Sequence, residues 1–385
     1  MTDLRLASVP YWRLSGWYFF YFAFVGGFLP YFSLYLKSFG LSAWDIGVLM
    51  ALMPLMRTLA PAFWGWLADR RGHKTALIRD TLAASLIAFA GFLLTRQFYY
   101  LALTMVVMSL FWSASLPLVE ALTLGHLRHQ VERYGRVRLW GSMGFIVAVQ
   151  GVGLLLVALP VVSIPLACLG LLGGALLIAM LLPESAPVEV DHGGGGLREV
   201  LAQPAVIALL AAGFMMAAAH APLYTFLSIH LVDLGYDKAV IGVLWSLGVV
   251  AEIVVFVFMP RLLRTGSLRG ILLICFSLAV LRFLLIGWLA AWPAAVIVAQ
   301  LLHGATFGAH HAASITALNR WFPSRLQGTA QSLYGSICYG AGGVVGGLIA
   351  GYGWEMLGPG LTYSIAALFA LAGLLLVWRG LRGSR

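Results

Sequence analysis

Four charged side chains interrupt runs that are otherwise apolar: Arg57, Glu120, Glu252 and Arg282. A full charge at the centre of a bilayer costs about 2.5–3.5 kcal/mol on insertion scales, so such groups face a protein interior or a watery cavity. Two cations and two anions can neutralise one another there, and the same groups can hold a charged solute. Histidines supply a second chemistry. On a regular helix Gln300, His303, Thr306, His310, His311 and Ser314 fall within one arc of roughly 140°, a face suited to a cavity and not to lipid. Imidazole, with an unperturbed pKa of about 6.5, exchanges protons near neutrality. His303 or His311, paired with Glu252, is therefore a candidate proton-coupling group. His220, Tyr224 and Ser228 form a smaller stripe at spacing of four. The plainer account, structural ion pairs and hydrogen bonds between helices, explains the same residues and stays open at this stage.

The elements that position these groups follow from composition. Of 385 residues 61% are hydrophobic and only 10% charged, with mean hydropathy +0.94. A soluble domain carries about 25% charged residues, so most of this surface meets lipid. Apolar runs near 12–36, 44–67, 75–95, 98–124, 137–158, 160–182, 204–231, 240–261, 268–289, 292–319, 327–352 and 359–379 predict twelve spanning helices. The first is too long for a removable signal and no small-residue cleavage site follows it. Cys168, Cys275 and Cys338 lie singly within apolar runs and imply neither disulfides nor a metal site.

Nineteen of the 24 lysines and arginines fall on one side of these spans, three (Lys37, Arg96, Lys238) on the other, and Arg57 and Arg282 within them. The positive-inside rule then places both termini in the cytoplasm of a multi-pass protein of the cell (inner or plasma) membrane. Net charge of +10 is a topology signal here, because the basic residues are scattered through short connections; no nucleic-acid partner is expected. Residues 183–203 contain four consecutive glycines and read as a flexible cytoplasmic linker between residues 1–182 and 204–385. His192 beside Asp191 is a solvated pair in this linker before it is a metal ligand.

The chain also repeats itself. Ile46 to Leu49 (IGVL) recurs as Ile241 to Leu244, each six positions after a glycine, Gly40 or Gly235. LWGS at Leu139 is echoed by LYGS at Leu333. Both echoes come at an offset of 194–195, which also relates Arg57 to Glu252. Duplicated halves with a solute held between them at mid-depth are a transporter design.

Certain motifs resemble a known superfamily. GWLADRRGHK, from Gly65 to Lys74, resembles the signature loop of the major facilitator superfamily: a glycine, Asp69 four on, then Arg70, Gly72 and Lys74 in a basic-x-glycine-x-basic pattern. The counterpart PRLLRTGSLR, from Pro260, keeps the glycine and basic residues without the aspartate. Within the superfamily the whole chain resembles the phenylpropionate-transporter branch, neighbour to the lactose-permease type of proton symporter. The stretches that carry this are FLPYFSLYLKSFGLS from Phe28, YGRVRLWGS from Tyr134, IGVLWSLGVVAE from Ile241 and LHGATFGAHHAA from Leu302. The resemblance implies an all-α integral membrane fold, twelve helices in two pseudo-symmetric six-helix bundles. It sets Glu120 and Arg138 at the sugar-binding acid–base pair of the lactose-permease type, and Arg282 and His303 at its coupling arginine and histidine. The carboxylate one turn after that histidine is replaced by Thr306. It implies a gating role for Gly65, Asp69, Arg70, Gly72 and Lys74.

The sequence thus predicts proton-coupled symport of a small organic solute, an aromatic monocarboxylate such as 3-phenylpropionate, by alternating access. Arg57, Glu120, Arg138, Glu252 and Arg282 are the candidate solute-binding groups. Glu252, His303 and His311 are the candidates for coupling, and His220, Tyr224, Thr306 and His310 for cavity lining. Expected partners are the solute, protons and the bilayer, with a monomer as the working unit and no cofactor. A sugar or nucleoside symporter using Glu120 and Arg138 is the rival. An integral membrane enzyme lacks a recognisable nucleophile, metal spacing or phosphate loop, and a receptor without flux leaves the duplication unused.

Overall fold

The computed structural model describes residues 9–127, 130–185 and 196–382. Its first nine long helices are α1 (Tyr11–Lys37), α2 (Ala43–Arg71), α3 (Lys74–Leu93), α4 (Phe98–Leu127), α5 (Tyr134–Ala158), α6 (Val161–Ala179), α7 (Pro204–Asp233), α8 (Lys238–Thr265) and α9 (Leu268–Leu289). The tenth, α10, is built from Pro293–Leu301, a π-helical segment Gly304–Ala309, and His310–Trp321. A last run, Ser324–Gly380, is broken at Gly358 (φ 78°), followed by Pro359, which divides it into α11 and α12. Among the described residues ten runs are long and apolar enough to cross a membrane as they stand. Dividing the last and adding the interrupted α10 gives the twelve spans expected from the sequence. Ten residues of the expected linker, 186–195 with Asp191 and His192, lie outside the described residues.

Local chemistry sets several helix ends. Ser42 and Asp45 form a reciprocal capping box at the start of α2, and Ser267 caps α9 through Gly270 N–H. Such caps each contribute about 1 kcal/mol. Gly40 and Gly235, the repeat-matched glycines before α2 and α8, both adopt positive φ (77° and 88°), a conformation that strains other residues.

The α1–α6 helices pack mainly among themselves, as do α7–α12, and two seams join the halves: α2 against α11, and α5 against α8. The repeat explains both. A Cβ on Gly47 would meet Gly351 Cα at 2.7 Å, and one on Gly242, its repeat partner, would meet Val149 O at 2.9 Å. The recurring IGVL tetrapeptide is therefore a backbone-to-backbone crossing used twice. Both crossings lie toward the end of the molecule away from the arginine-rich loops. There Lys37 Nζ also reaches both Asp233 oxygens (2.6 and 2.8 Å), and Trp44 N–H donates to Glu355 (2.8 Å). The Tyr31 hydroxyl donates to Val149 O (2.9 Å) beside Lys238 O (3.3 Å), tying α1 to both sides of the α5–α8 seam. The space between the halves is sealed at one end.

Gly47→Val and Gly242→Val should each overpack a seam, at about 1–3 kcal/mol. The measurement is Tm of the detergent-purified protein, with Gly151→Val, whose Cβ meets nothing within 4 Å, unchanged. A Gly47→Val protein that melts like wild type would show that the close crossing is not required.

Candidate functional site

A buried guanidinium organises the second half. Arg282 of α9 is 0% exposed. Its Nε donates to Ala299 O (2.8 Å), Nη2 to Gln300 Oε1 (3.1 Å), and Nη1 to Thr306 Oγ1 (3.0 Å) and His220 Nε2 (3.2 Å). Arginine has no acceptor, so His220 Nε2 must accept, and the His220 proton sits on Nδ1, which donates to Met216 O (2.8 Å). Every direct partner of Arg282 is therefore neutral. Glu252 of α8 is a carboxyl group within electrostatic reach of Arg282.

Glu252 in turn meets His303 of α10, Oε1 to Nε2 at 2.7 Å, with side-chain exposures of 16% and 9%. Small residues permit the approach. A Cβ on Gly304 would strike Ala251 O at 2.5 Å, and Gly248 lies against the His303 ring. His303 Nδ1 is buried without a partner.

The π-helical turn then changes the expected stripe. On a regular helix of 3.6 residues per turn, residue 311 is rotated by about 80° from residue 303; the wider turn removes much of that drift. His303, Phe307 and His311 consequently stack as one row, with ring centroids 5.3 and 6.3 Å apart and planes within 16° and 11°. His303 is largely covered, whereas Phe307 and His311 are half-buried. Two expected lining residues move accordingly. Thr306, fully buried, turns to Arg282, and His310 packs edge-on against Phe276 of α9 (5.3 Å, 87°), behind the row. His220 is also interior, 2% exposed, as part of the Arg282 network. Tyr224 is half-buried and stacks on Trp245.

His311 Nδ1 lies 2.9 Å from the Tyr339 hydroxyl. Tyr339 belongs to a second π-helical segment, Gly335–Gly342 in α11. Sequence reasoning missed Tyr339 because its glycine-rich surroundings read as helix packing alone. It missed Phe307 because an aromatic within an apolar run carries no periodic signal.

The first half brings two cations, Arg57 and Arg138, and one carboxyl, Glu120. Arg57 is exposed, on α2, and acts electrostatically on His311, Tyr339, Tyr21 and Glu120. Arg138 of α5 lies within electrostatic range of Glu252, His311 and Glu120, and its guanidinium lies 3.8 Å from the Phe22 ring centroid. Glu120 accepts from the Tyr134 hydroxyl (3.3 Å); among the described residues it makes no ion pair within 4 Å, with Arg138 or any other group. Tyr21 is held between Trp17 and Trp112, both rings 4.8 Å away. Charged groups of both halves thus lie within electrostatic range of one another, while Arg282, His220 and Thr306 form a fully buried network in the second half.

The Gly65–Lys74 loop stays within its own half in its described contacts. Gly72 (φ 67°) ends α2, its N–H donating to Ala68 O. Arg70 lies over Trp66 (5.6 Å), and Arg71 pairs with Asp80 (3.5 Å) on the surface. Gly65 is uncrowded. The Asp69 side chain lies outside the described residues. Glu184, just beyond α6, caps α3: it accepts from the Lys74 and Thr75 N–H groups (3.3 and 3.0 Å) and the Thr75 hydroxyl (2.7 Å). Partial burial raises the Glu184 pKa, but these hydrogen bonds outweigh it and hold the carboxyl below its usual range.

The family model described as "MFS_1 like family" matches residues 11–365. An Escherichia coli (strain K12) protein, "Probable 3-phenylpropionic acid transporter", is 30% identical over 376 residues, covering 95% of this chain and 96% of that one. The maltose permease of Geobacillus stearothermophilus is 27% identical over 367 residues, 94% of this chain and 92% of its own. A crystal structure of the nucleoside transporter NupG superposes with TM-score 0.84 at 16% identity, covering 97% of this chain and all of that one. At that identity the likeness is one of fold.

Two predictions follow from the buried groups. Arg282→Met should strand Glu252 in the interior and destabilise the protein by about 3–5 kcal/mol, seen as a fall in Tm that adding Glu252→Gln largely reverses. A double variant no more stable than the single would remove Glu252 as the counter-charge. Glu184→Gln should cost about 1 kcal/mol near neutral pH. The depressed carboxyl stabilises above its unfolded pKa and loses that contribution as pH falls through its folded value, so the wild-type advantage should shrink on acidification.

Proposed function

Because the chain belongs to the MFS_1-like family, and so is a multi-pass membrane transporter and not an enzyme, we propose that it carries an aromatic monocarboxylate such as 3-phenylpropionate together with a proton. The observation that carries this reading is the Glu252–His303 contact at the foot of a row of stacked rings, with Arg57 and Arg138 within electrostatic range of His311 at its other end. The name of the Escherichia coli relative supports the solute class.

In this reading the solute carboxylate lies near Arg57 and Arg138, and its ring lies along Phe307 and His311. Arg282, enclosed by neutral acceptors, acts through charge balance and leaves solute contact to the exposed groups. A proton taken by Glu252 leaves Arg282 without its counter-charge, and an arriving carboxylate restores the balance. Proton and anion thereby favour each other's binding, and the coupling is reciprocal. Residues 1–182 and 204–385 rock as two bundles about the chamber, with the 183–203 linker between them. The arginine-rich loops and both termini face the cytoplasm across the cell inner membrane, so the sealed end, with Lys37–Asp233, is extracellular. The Gly65–Lys74 loop lies at the opposite gate.

A sugar or nucleoside solute is the second reading, supported by the maltose permease relative and by the acid–base pair of residues Glu120 and Arg138. Proteoliposomes decide. An inwardly directed proton gradient should drive accumulation of labelled 3-phenylpropionate, and a protonophore should abolish it. Arg57→Ala should raise KM by roughly tenfold, the loss of about 1.4 kcal/mol, and Glu252→Gln should remove gradient-driven accumulation. Uptake indifferent to the gradient would end the symport assignment, and competition by maltose or nucleosides but not by aromatic acids would transfer it to the second reading.

A further inference from the structure

The row of rings on α10 has chemically different ends. At one end His303 is bound to Glu252 Oε1; at the other His311 is bound to the Tyr339 hydroxyl. Phe307 lies between them, stacked with both imidazoles. Arg57 acts on the Tyr339 and His311 end. The second oxygen of Glu252, Oε2, has no hydrogen-bond partner among the described residues, and the side chain lies against Gly308, next to Phe307.

A ring lying on Phe307 with its carboxylate at the Arg57 end sets its far edge toward the end of the row where Glu252 sits. An unsubstituted hydrocarbon ring would strip water from Glu252 Oε2 and offer nothing in return, and an acceptor desolvated without a donor is costly. A donor on the ring removes that penalty. We propose that this chamber is built for aromatic acids bearing a hydrogen-bond donor on the ring, a phenolic hydroxyl above all, with Glu252 as the group that reads it. The proposal rests on the aromatic-acid reading above and narrows it: Glu252 becomes a specificity-determining residue. A protonated Glu252 keeps a carbonyl oxygen as acceptor, so reading the hydroxyl and taking a proton are compatible on one side chain.

The test compares ring hydroxyls with methyl groups of similar size. Binding of 3-(4-hydroxyphenyl)propionate, 3-(3-hydroxyphenyl)propionate and their methyl counterparts is measured by ligand-induced Tm shift of the full-length protein, and by competition against labelled 3-phenylpropionate uptake. A site that pairs a buried acceptor discriminates strongly against the analogue lacking the donor. At least one hydroxylated acid should therefore bind about tenfold or more tightly than its methyl counterpart. Glu252→Met should collapse that ratio in the binding assay while methyl compounds still bind, and Glu252→Gln, which keeps an acceptor oxygen, should retain most of it. Equal binding of hydroxyl and methyl compounds to the wild type would overturn the inference, even if no Glu252 variant folds, and leave the aromatic-acid reading standing. A ratio that survives Glu252→Met would overturn it as well. Failure of every aromatic acid to bind would overturn both.

Discussion

Enclosing one guanidinium with neutral partners constrains the entire second half. Arg282 donates to a carbonyl, an amide, a hydroxyl and an imidazole, which satisfies its geometry but not its charge. Removing an ion from water costs several kcal/mol even after relaxation, so an opposite charge must lie close by. Glu252 lies within electrostatic reach of Arg282, on the stretch of α8 that packs closely against α10. The glycines at 248, 304 and 308 and the π-helical turn of α10 are the means of that approach. The same turn aligns His303, Phe307 and His311, so the row of rings accompanies the close packing of α8 on α10.

The two halves share scaffolding but not chemistry. Gly47 and Gly242, or Gly40 and Gly235, do the same work in each repeat. Arg57 and Glu252 occupy equivalent repeat positions with opposite sign, and their surroundings differ: the first is exposed, the second enclosed against an imidazole. Duplication supplied the frame, and the polar residues diverged on it. In the first half Tyr21 is fixed between two indoles while Arg138 rests on Phe22. These features suit contact with a ring-bearing anion, whereas the second half holds the compensated buried pair.

Composition and hydropathy were enough to read the spans, because lipid imposes a length and polarity that few other environments demand. The IGVL echo marked a real contact, since a glycine repeated at one offset reports a close approach that the fold uses twice. The site was harder to read. Glu252, Arg282 and His303 stood out as charges and imidazoles in apolar runs, a signal that depends only on solvation cost. Thr306 and His310 were misplaced for the opposite reason: assigning a face requires a helical period, and a π-helical turn changes it without any change in residue type. Tyr339 and Phe307 were invisible because aromatic residues in a membrane helix face lipid, protein or cavity with equal ease. The Glu184 cap on α3 joins segments more than a hundred residues apart, a pairing with no local signature.

The glycine seams have an energetic consequence of their own. At Gly47 and Gly242 backbone meets backbone or a single tyrosine hydroxyl, and glycine has no rotamers to freeze when the surfaces meet or to release when they part. The exposed Lys37–Asp233 pair adds little, being bathed in water. Bringing these backbones together therefore costs almost no side-chain entropy at the two glycines themselves, so each crossing is held by backbone contact and not by the freezing of rotamers.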